Sequence, residues 1–193
     1  MTQYYRIQPE QDHYMYFELD AYDFLDKLGE EFELSDFGKP MLQAWQPIKG
    51  KFYPKVGDAT KSPDITTWKT DLLVLNQKAY DILKGTLESI GELLPVEVAS
   101  DTFYLFNVLE RLSDDVIDMD NSEYEYHATE EKPVGFSVLN FNAKSVPQDK
   151  LIFCVQNDFA YNIYCDDRFI NIISENDLGG LFFNTTLIDP YFK

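Results

Sequence analysis

Positive charge is scarce in this sequence: 16 Lys and Arg stand against 34 Asp and Glu in 193 residues, a net charge of −18. DNA, RNA and anionic membrane surfaces would be repelled at long range unless those few cations shared one face. Neither nucleic acid nor membrane is therefore expected as a partner. Cysteine is nearly absent too. Cys154 and Cys165 lie eleven residues apart, neither a CxxC pair nor a disulfide framework, and are expected to be reduced, structural thiols. Long apolar runs are missing, since residues 72–75 and 151–155 fall far short of the ~20 that a bilayer span needs. The first twenty residues also lack the basic start, apolar run and small-residue cleavage site of a signal peptide. A soluble, cytoplasmic protein is the expectation.

Catalytic signatures are lacking in the same way. No G-x-S-x-G elbow, GxxxxGK[ST] or GxGxxG occurs, and Ser137, Ser145 and Ser174 have no base near them in sequence. Cys154 sits in the apolar run Leu-Ile-Phe-Cys-Val, where burial raises a thiol pKa and quietens the nucleophile. His13 and His127 have acidic or aromatic neighbours rather than a ligand pattern. Gly179-Gly180 follows a helical stretch instead of opening one, so it reads as a helix C-cap and not as a phosphate loop. No catalytic residue, cofactor or metal site is assigned.

What the chain does have is apolar and aromatic bulk, 45% hydrophobic with 15 Phe and 13 Tyr, which separates it from acidic disordered chains. At this length about two thirds of the unfolded surface can be buried, in one domain or two small lobes. Residues 2–7 and 14–19 alternate as strands and suggest an N-terminal hairpin; residues 21–33 read as a short helix or an acidic loop. Between residues 39 and 69 six lysines face only Asp58 and Asp64, with prolines at 40, 47, 54 and 63. Proline removes a backbone donor and disfavours helix before it, so turns and short pieces are expected, pinned by Trp45 and Trp68. This basic stretch is either a docking loop or an irregular covering layer.

From residue 71 the pattern sharpens. An apolar strand over 71–75 runs into Asn76 as N-cap, then Ala79, Tyr80, Leu83 and Leu87 at helical spacing, Gly91 as a stop, and strands over 93–98 and 103–109. Strands over 150–155 and 161–165, a cap at Asp166 or Asp167, Phe169, Ile172 and Ile173 on a helix face, and Gly179-Gly180 repeat the theme. Residues 134–141 would add a strand between the two copies. The expected fold is α+β: a mixed sheet carrying a degenerate repeat of strand, capped helix and strand, with an N-terminal hairpin and irregular lobe over 1–70 and a core over 71–193, or one continuous domain.

The acids cluster. Residues 113–131 hold eight, with no Lys or Arg, among them Asp114, Asp115, Asp118, Asp120, Glu123 and Glu125. Asp118-Met119-Asp120-Asn121 resembles the start of a Ca²⁺-binding EF-hand loop, but Ser122 and Glu123 stand where glycine and the rest of the loop should follow. A metal-dependent hydrolase, a solvated loop and a partner-facing patch are the three readings. In the last, carboxylates steer a basic partner into place, and Tyr124 and Tyr126, interleaved with Glu123 and Glu125, add aromatic anchors. Alternating Glu and Tyr also suits an edge strand blunted by charge.

Several short motifs carry a resemblance. They are Leu73-Val74-Leu75-Asn76 with Ala79 and Leu83, Leu94-Pro95-Val96, residues 104–109 leading to Asp114 and Asp118, Leu151-Ile152-Phe153, Asp166-Asp167-Arg168-Phe169, and residues 178–183. From about residue 71 to the end the chain resembles the eleventh immunity-protein family of bacterial polymorphic toxin systems. Asn76 stands where that family commonly has Ser. The resemblance implies a small non-enzymatic antitoxin that binds and occludes a cognate secreted toxin, and the acids here lead to the expectation of a basic toxin surface. The alternative is an acidic nucleic-acid mimic or regulatory adaptor.

Overall fold

The structure is a computed structural model describing residues 2–33, 36–54, 59–69, 72–126, 133–156, 158 and 162–187. In chain order the described elements are β1 (Tyr4–Pro9), β2 (Tyr16–Leu19), α1 (Ala21–Leu28), β3 (Ile48–Tyr53), β4 (Ile65–Trp68), β5 (Leu72–Leu75), α2 (Gln77–Leu87), β6 (Gly91–Val98), β7 (Asp101–Val108), β8 (Arg111–Leu112), β9 (Glu123–Tyr126), β10 (Pro133–Val138), β11 (Ile152–Val155), β12 (Tyr164–Asp166), α3 (Asp167–Glu175) and β13 (Leu181–Asn184). The fold is α+β with mixed sheets. Contacts divide the chain into a larger unit, Gln8–Glu110 with Ile173–Phe182, and a smaller one, Met1–Ile7 with Arg111–Ile172 and Phe183–Lys193.

The larger unit is built on a six-stranded sheet in the order β2-β3-β6-β7-β5-β4. β6 and β7 pair antiparallel from Gly91↔Val108 to Val98↔Asp101, while β3 joins β6 in parallel. α2 forms where the sequence places it. The Asn76 Oδ1 atom accepts from the Ala79 N–H at 2.9 Å, and Ala79, Leu83 and Leu87 form a fully buried stripe packed on β5, β6 and β7. Burying each of those leucines contributes about 1.5–3 kcal/mol. Tyr80, on the flank, stacks on Tyr104 at 3.8 Å.

The Lys- and Pro-rich stretch is not a separate lobe. β3 and β4 lie within it, and both are strands of the same sheet as β5–β7. The part before β3 covers that sheet. Trp45 donates from Nε1 to the Pro95 carbonyl at 2.8 Å, and Asn107 receives the Gly38 N–H at 2.6 Å while donating to the Lys39 carbonyl at 3.0 Å. Trp45 and Trp68 are both buried in one cluster with Phe37, Ile48 and Val96. The two tryptophans thus pin this stretch as expected. Lys55, Asp58 and the start of the expected strand at Asp71 lie outside the described residues.

The N-terminal hairpin does not form. β1 pairs antiparallel with β12, Tyr4↔Asp166 to Arg6↔Tyr164, whereas β2 pairs with β3. β1 belongs to a five-stranded sheet in the order β13-β1-β12-β11-β8. Burial explains the difference: Arg6 and Ile7, successive residues on opposite faces, are 1% and 3% exposed, so β1 is an interior strand. β2 alternates between buried and half-buried and sits at a sheet edge. The strand expected over 134–141 exists as β10, and among the described residues it pairs with β9 in a two-stranded sheet.

The internal repeat survives as topology. β5 and β6 flank β7, antiparallel to both, and α2 makes the crossover; β12 and β13 flank β1, and α3 follows β12. Both helices are capped by the expected side chains, Asp166 Oδ1 accepting from the Arg168 N–H at 2.9 Å. The glycines have a different role from the one expected. α3 ends on Asp177 at φ 49°, with Leu178 N–H on the Ile173 carbonyl at 3.0 Å and Asp177 N–H on that of Ser174 at 3.2 Å, a Schellman termination without glycine. A Cβ on Gly179 would stand 2.0 Å from the Tyr14 hydroxyl, and one on Gly91, already inside β6, 2.3 Å from the Asn107 carbonyl. Close backbone approach, not capping, requires both.

Candidate functional site

The acidic segment lies in the smaller unit and is more ordered than a solvated loop. β8 pairs in parallel with β11, and a single 3-10 turn, Asp114–Val116, follows. Val116 and Ile117 are buried in a cluster with Phe136, Leu139, Phe153 and Tyr164, which leaves Asp115 outside. Ile117 bridges Phe141, and the next residues loop around Asn140, held by its backbone and its side chain. The Asn140 carbonyl accepts from the Asp118 N–H at 2.9 Å, its N–H donates to Ser122 Oγ at 2.9 Å, and its Nδ2 donates to the Asn121 carbonyl. Asn121 Nδ2 in turn donates to Asp118 Oδ2 at 2.8 Å. The motif that resembled an EF-hand start is therefore closed on itself by an amide. Among the described residues no three His, Cys, Asp or Glu side chains gather as a metal would need.

β9 then presents Glu123, Tyr124, Glu125 and Tyr126 against β10, with register shifts between Pro133 and Gly135 and between Phe136 and Val138. Such bulges re-aim side chains and break simple alternation. The two tyrosines consequently differ. Tyr124 stacks on Phe136 at 4.7 Å, and burial together with the Asp114 charge raises its hydroxyl pKa. Tyr126 is 52% exposed. Of the acids, Asp115, Asp120 and Glu123 are exposed, and Asp114, Asp118 and Glu125 are half-buried. Exposed Met119 and Val138 add apolar surface to the same segment. The eight singled-out residues are neighbours in sequence over 114–126, and within that stretch Tyr124 is turned inward. His127, Glu130 and Glu131 lie outside the described residues.

Other polar groups have structural duties. Both cysteines are buried thiols, and burial with the neighbouring Asp166 and Asp167 charges holds the Cys165 thiol far above its usual range. His13 is paired with Glu10 at 3.2 Å on the surface. A cavity of about 200 Å³ in the smaller unit is lined by Lys150, Asp166, Asp167 and Arg168, where Arg168 grips Asp166 through Nε at 2.7 Å and Nη2 at 2.6 Å. One of about 400 Å³ in the larger unit is lined by Glu18, Asp20, Lys49 and Lys51, where Glu18 receives the Trp68 indole N–H at 3.0 Å and Asp20 caps α1. A feature with no sequence signal is the buried set Arg6, Asp158, Asn162 and Tyr164, in which Asp158 accepts from the Tyr164 hydroxyl at 3.0 Å and the Asn162 N–H at 2.8 Å.

Comparison with protein families finds a match to the immunity protein family (Imm11) over residues 94–187. The expected resemblance holds over that stretch; the earlier motif around Asn76 lies before it. Comparison with curated proteins finds no match.

Proposed function

From a match to an immunity protein family over 94–187, we propose that the chain binds a cognate toxin in the cytoplasm and neutralises it by covering it, without catalysis of its own. That match carries the reading. The acidic segment supports it, because it falls inside the matched residues and carries Asp115, Asp120, Glu123 and Tyr126 exposed. Carboxylates steer a basic partner during the encounter, and a half-exposed aromatic ring supplies apolar contact once it has docked. The loop around Asn140 holds those groups in place before binding, which limits the ordering cost.

Co-expression with the toxin encoded beside this gene is expected to rescue growth, and the pair to co-elute on gel filtration at micromolar concentration. No rescue and no complex would sink the proposal. Charge reversal at Asp118, Asp120, Glu123 and Glu125 is expected to slow association about tenfold at low salt, with the difference shrinking as salt screens it. A pull-down that returned many DNA-binding proteins instead would favour an acidic nucleic-acid mimic.

A further inference from the structure

α1 is fixed on one face and unpartnered on the other. Phe24 and Leu28 pack against the core cluster of the larger unit, Phe24 lying edge-on to Phe32 at 5.3 Å and to Trp68 at 6.4 Å. Asp23 accepts from Lys27 Nζ at 2.8 Å and from the Lys49 N–H at 2.7 Å, and Lys27 also donates to the Pro47 carbonyl. Asp20 caps the first turn, accepting from the Asp23 N–H at 2.9 Å, and Gly29 at φ 89° ends the helix. The opposite face shows Tyr22, 87% exposed, and Leu25, 43% exposed, three residues apart and hence neighbours on one stripe. Exposed Asp26 adjoins them, and exposed Glu30 and Glu31 follow the helix. Lys27, the sole cation of α1, is engaged by Asp23.

We propose that this face of α1 is a docking site for a cationic protein surface, with Tyr22 entering an apolar slot rimmed by Lys or Arg of the partner. The inference rests on the toxin reading and adds a second contact surface, outside residues 94–187. Two features select the occupant. The apolar pair is bordered by carboxylates whose complement is a basic rim, and a second copy of the same helix would bring acid against acid. The helix is held from behind by rings and by hydrogen bonds to Lys49 and Pro47, so an exposed aromatic on it docks with little loss of freedom, the usual setting of an interface anchor.

The test measures binding of the full chain to the toxin encoded beside its gene. Tyr22→Ala and Leu25→Ala are expected to weaken binding at least tenfold each, mainly through faster dissociation, with unchanged melting temperature because neither side chain is buried. Tyr22→Gln guards against a folding artefact, removing the ring while keeping a good helix former, and is expected to weaken binding equally. Asp26→Lys is expected to slow association at low salt. Binding of both alanine variants within twofold of the original chain would overturn the proposal while leaving the toxin reading intact. If the original chain itself fails to bind, the toxin reading falls and this inference with it. Self-association of the chain, abolished by Tyr22→Ala, would overturn it in favour of a second copy.

Discussion

Tyr164 shows how much a single buried hydroxyl can report. It is fully buried, opposite Arg6 in the strand register, and donates to Asp158 at 3.0 Å. Burial first, and the Asp158 charge second, push its pKa well above 10.0. A folded-state pKa above the unfolded one means stability that is fully present below pH 10.0 and lost as pH rises toward the folded value, because the unfolded chain ionises first. Tyr164→Phe is expected to cost about 1–3 kcal/mol at neutral pH, since Asp158 keeps its burial and loses a donor. The same variant should show a smaller decline in stability above pH 10.0. Urea denaturation at neutral and alkaline pH checks both effects, and equal alkaline declines in the two proteins would refute the assignment. Nothing in the sequence marked this group, because Arg6 and Asp158 look like ordinary surface residues until the strands that bury them are paired.

Elements with local causes were the legible ones. Asn76, Asp166 and the spacing of Ala79, Leu83 and Leu87 specify capped helices through contacts within a few residues, and both helices stand where those residues indicate. Strand pairing has no such local cause. β1 and β2 are close in sequence, yet each pairs elsewhere, because Arg6 gave β1 an amphipathic look that its 1% exposure contradicts. Gly91 and Gly179 were visible as glycines, but their neighbours Asn107 and Tyr14 are distant in sequence. The acidic segment was legible in composition, and its inward Tyr124 was not, because bulges in β10 set the facing. At this scale Gly50 makes a test. A Cβ there would stand 2.5 Å from the Phe17 ring and 3.2 Å from Val96, so Gly50→Ala is expected to destabilise the β2-β3-β6 edge by about 1–3 kcal/mol, read as a lower denaturant midpoint.

At the scale of the whole molecule, each unit is assembled from separated stretches of chain, the smaller from three and the larger from two. Residues 71–193 expressed alone would lack β1 from one sheet and β2, β3 and β4 from the other. That fragment is expected to melt without a cooperative transition, whereas a sharp transition would show that the missing strands are dispensable. The placement of β1 also sets when the smaller unit can be completed. The Tyr5 hydroxyl meets Asp167, 162 residues later, and β1 pairs with β12 from Tyr4↔Asp166 to Arg6↔Tyr164. At a synthesis rate of about 5–20 residues per second, the first strand made waits roughly 10–30 s on the ribosome for its partner. Under the proposed toxin-binding role, a cell would be unguarded for at least that interval after each message is first read, and a standing pool made in advance would serve it better than synthesis on demand.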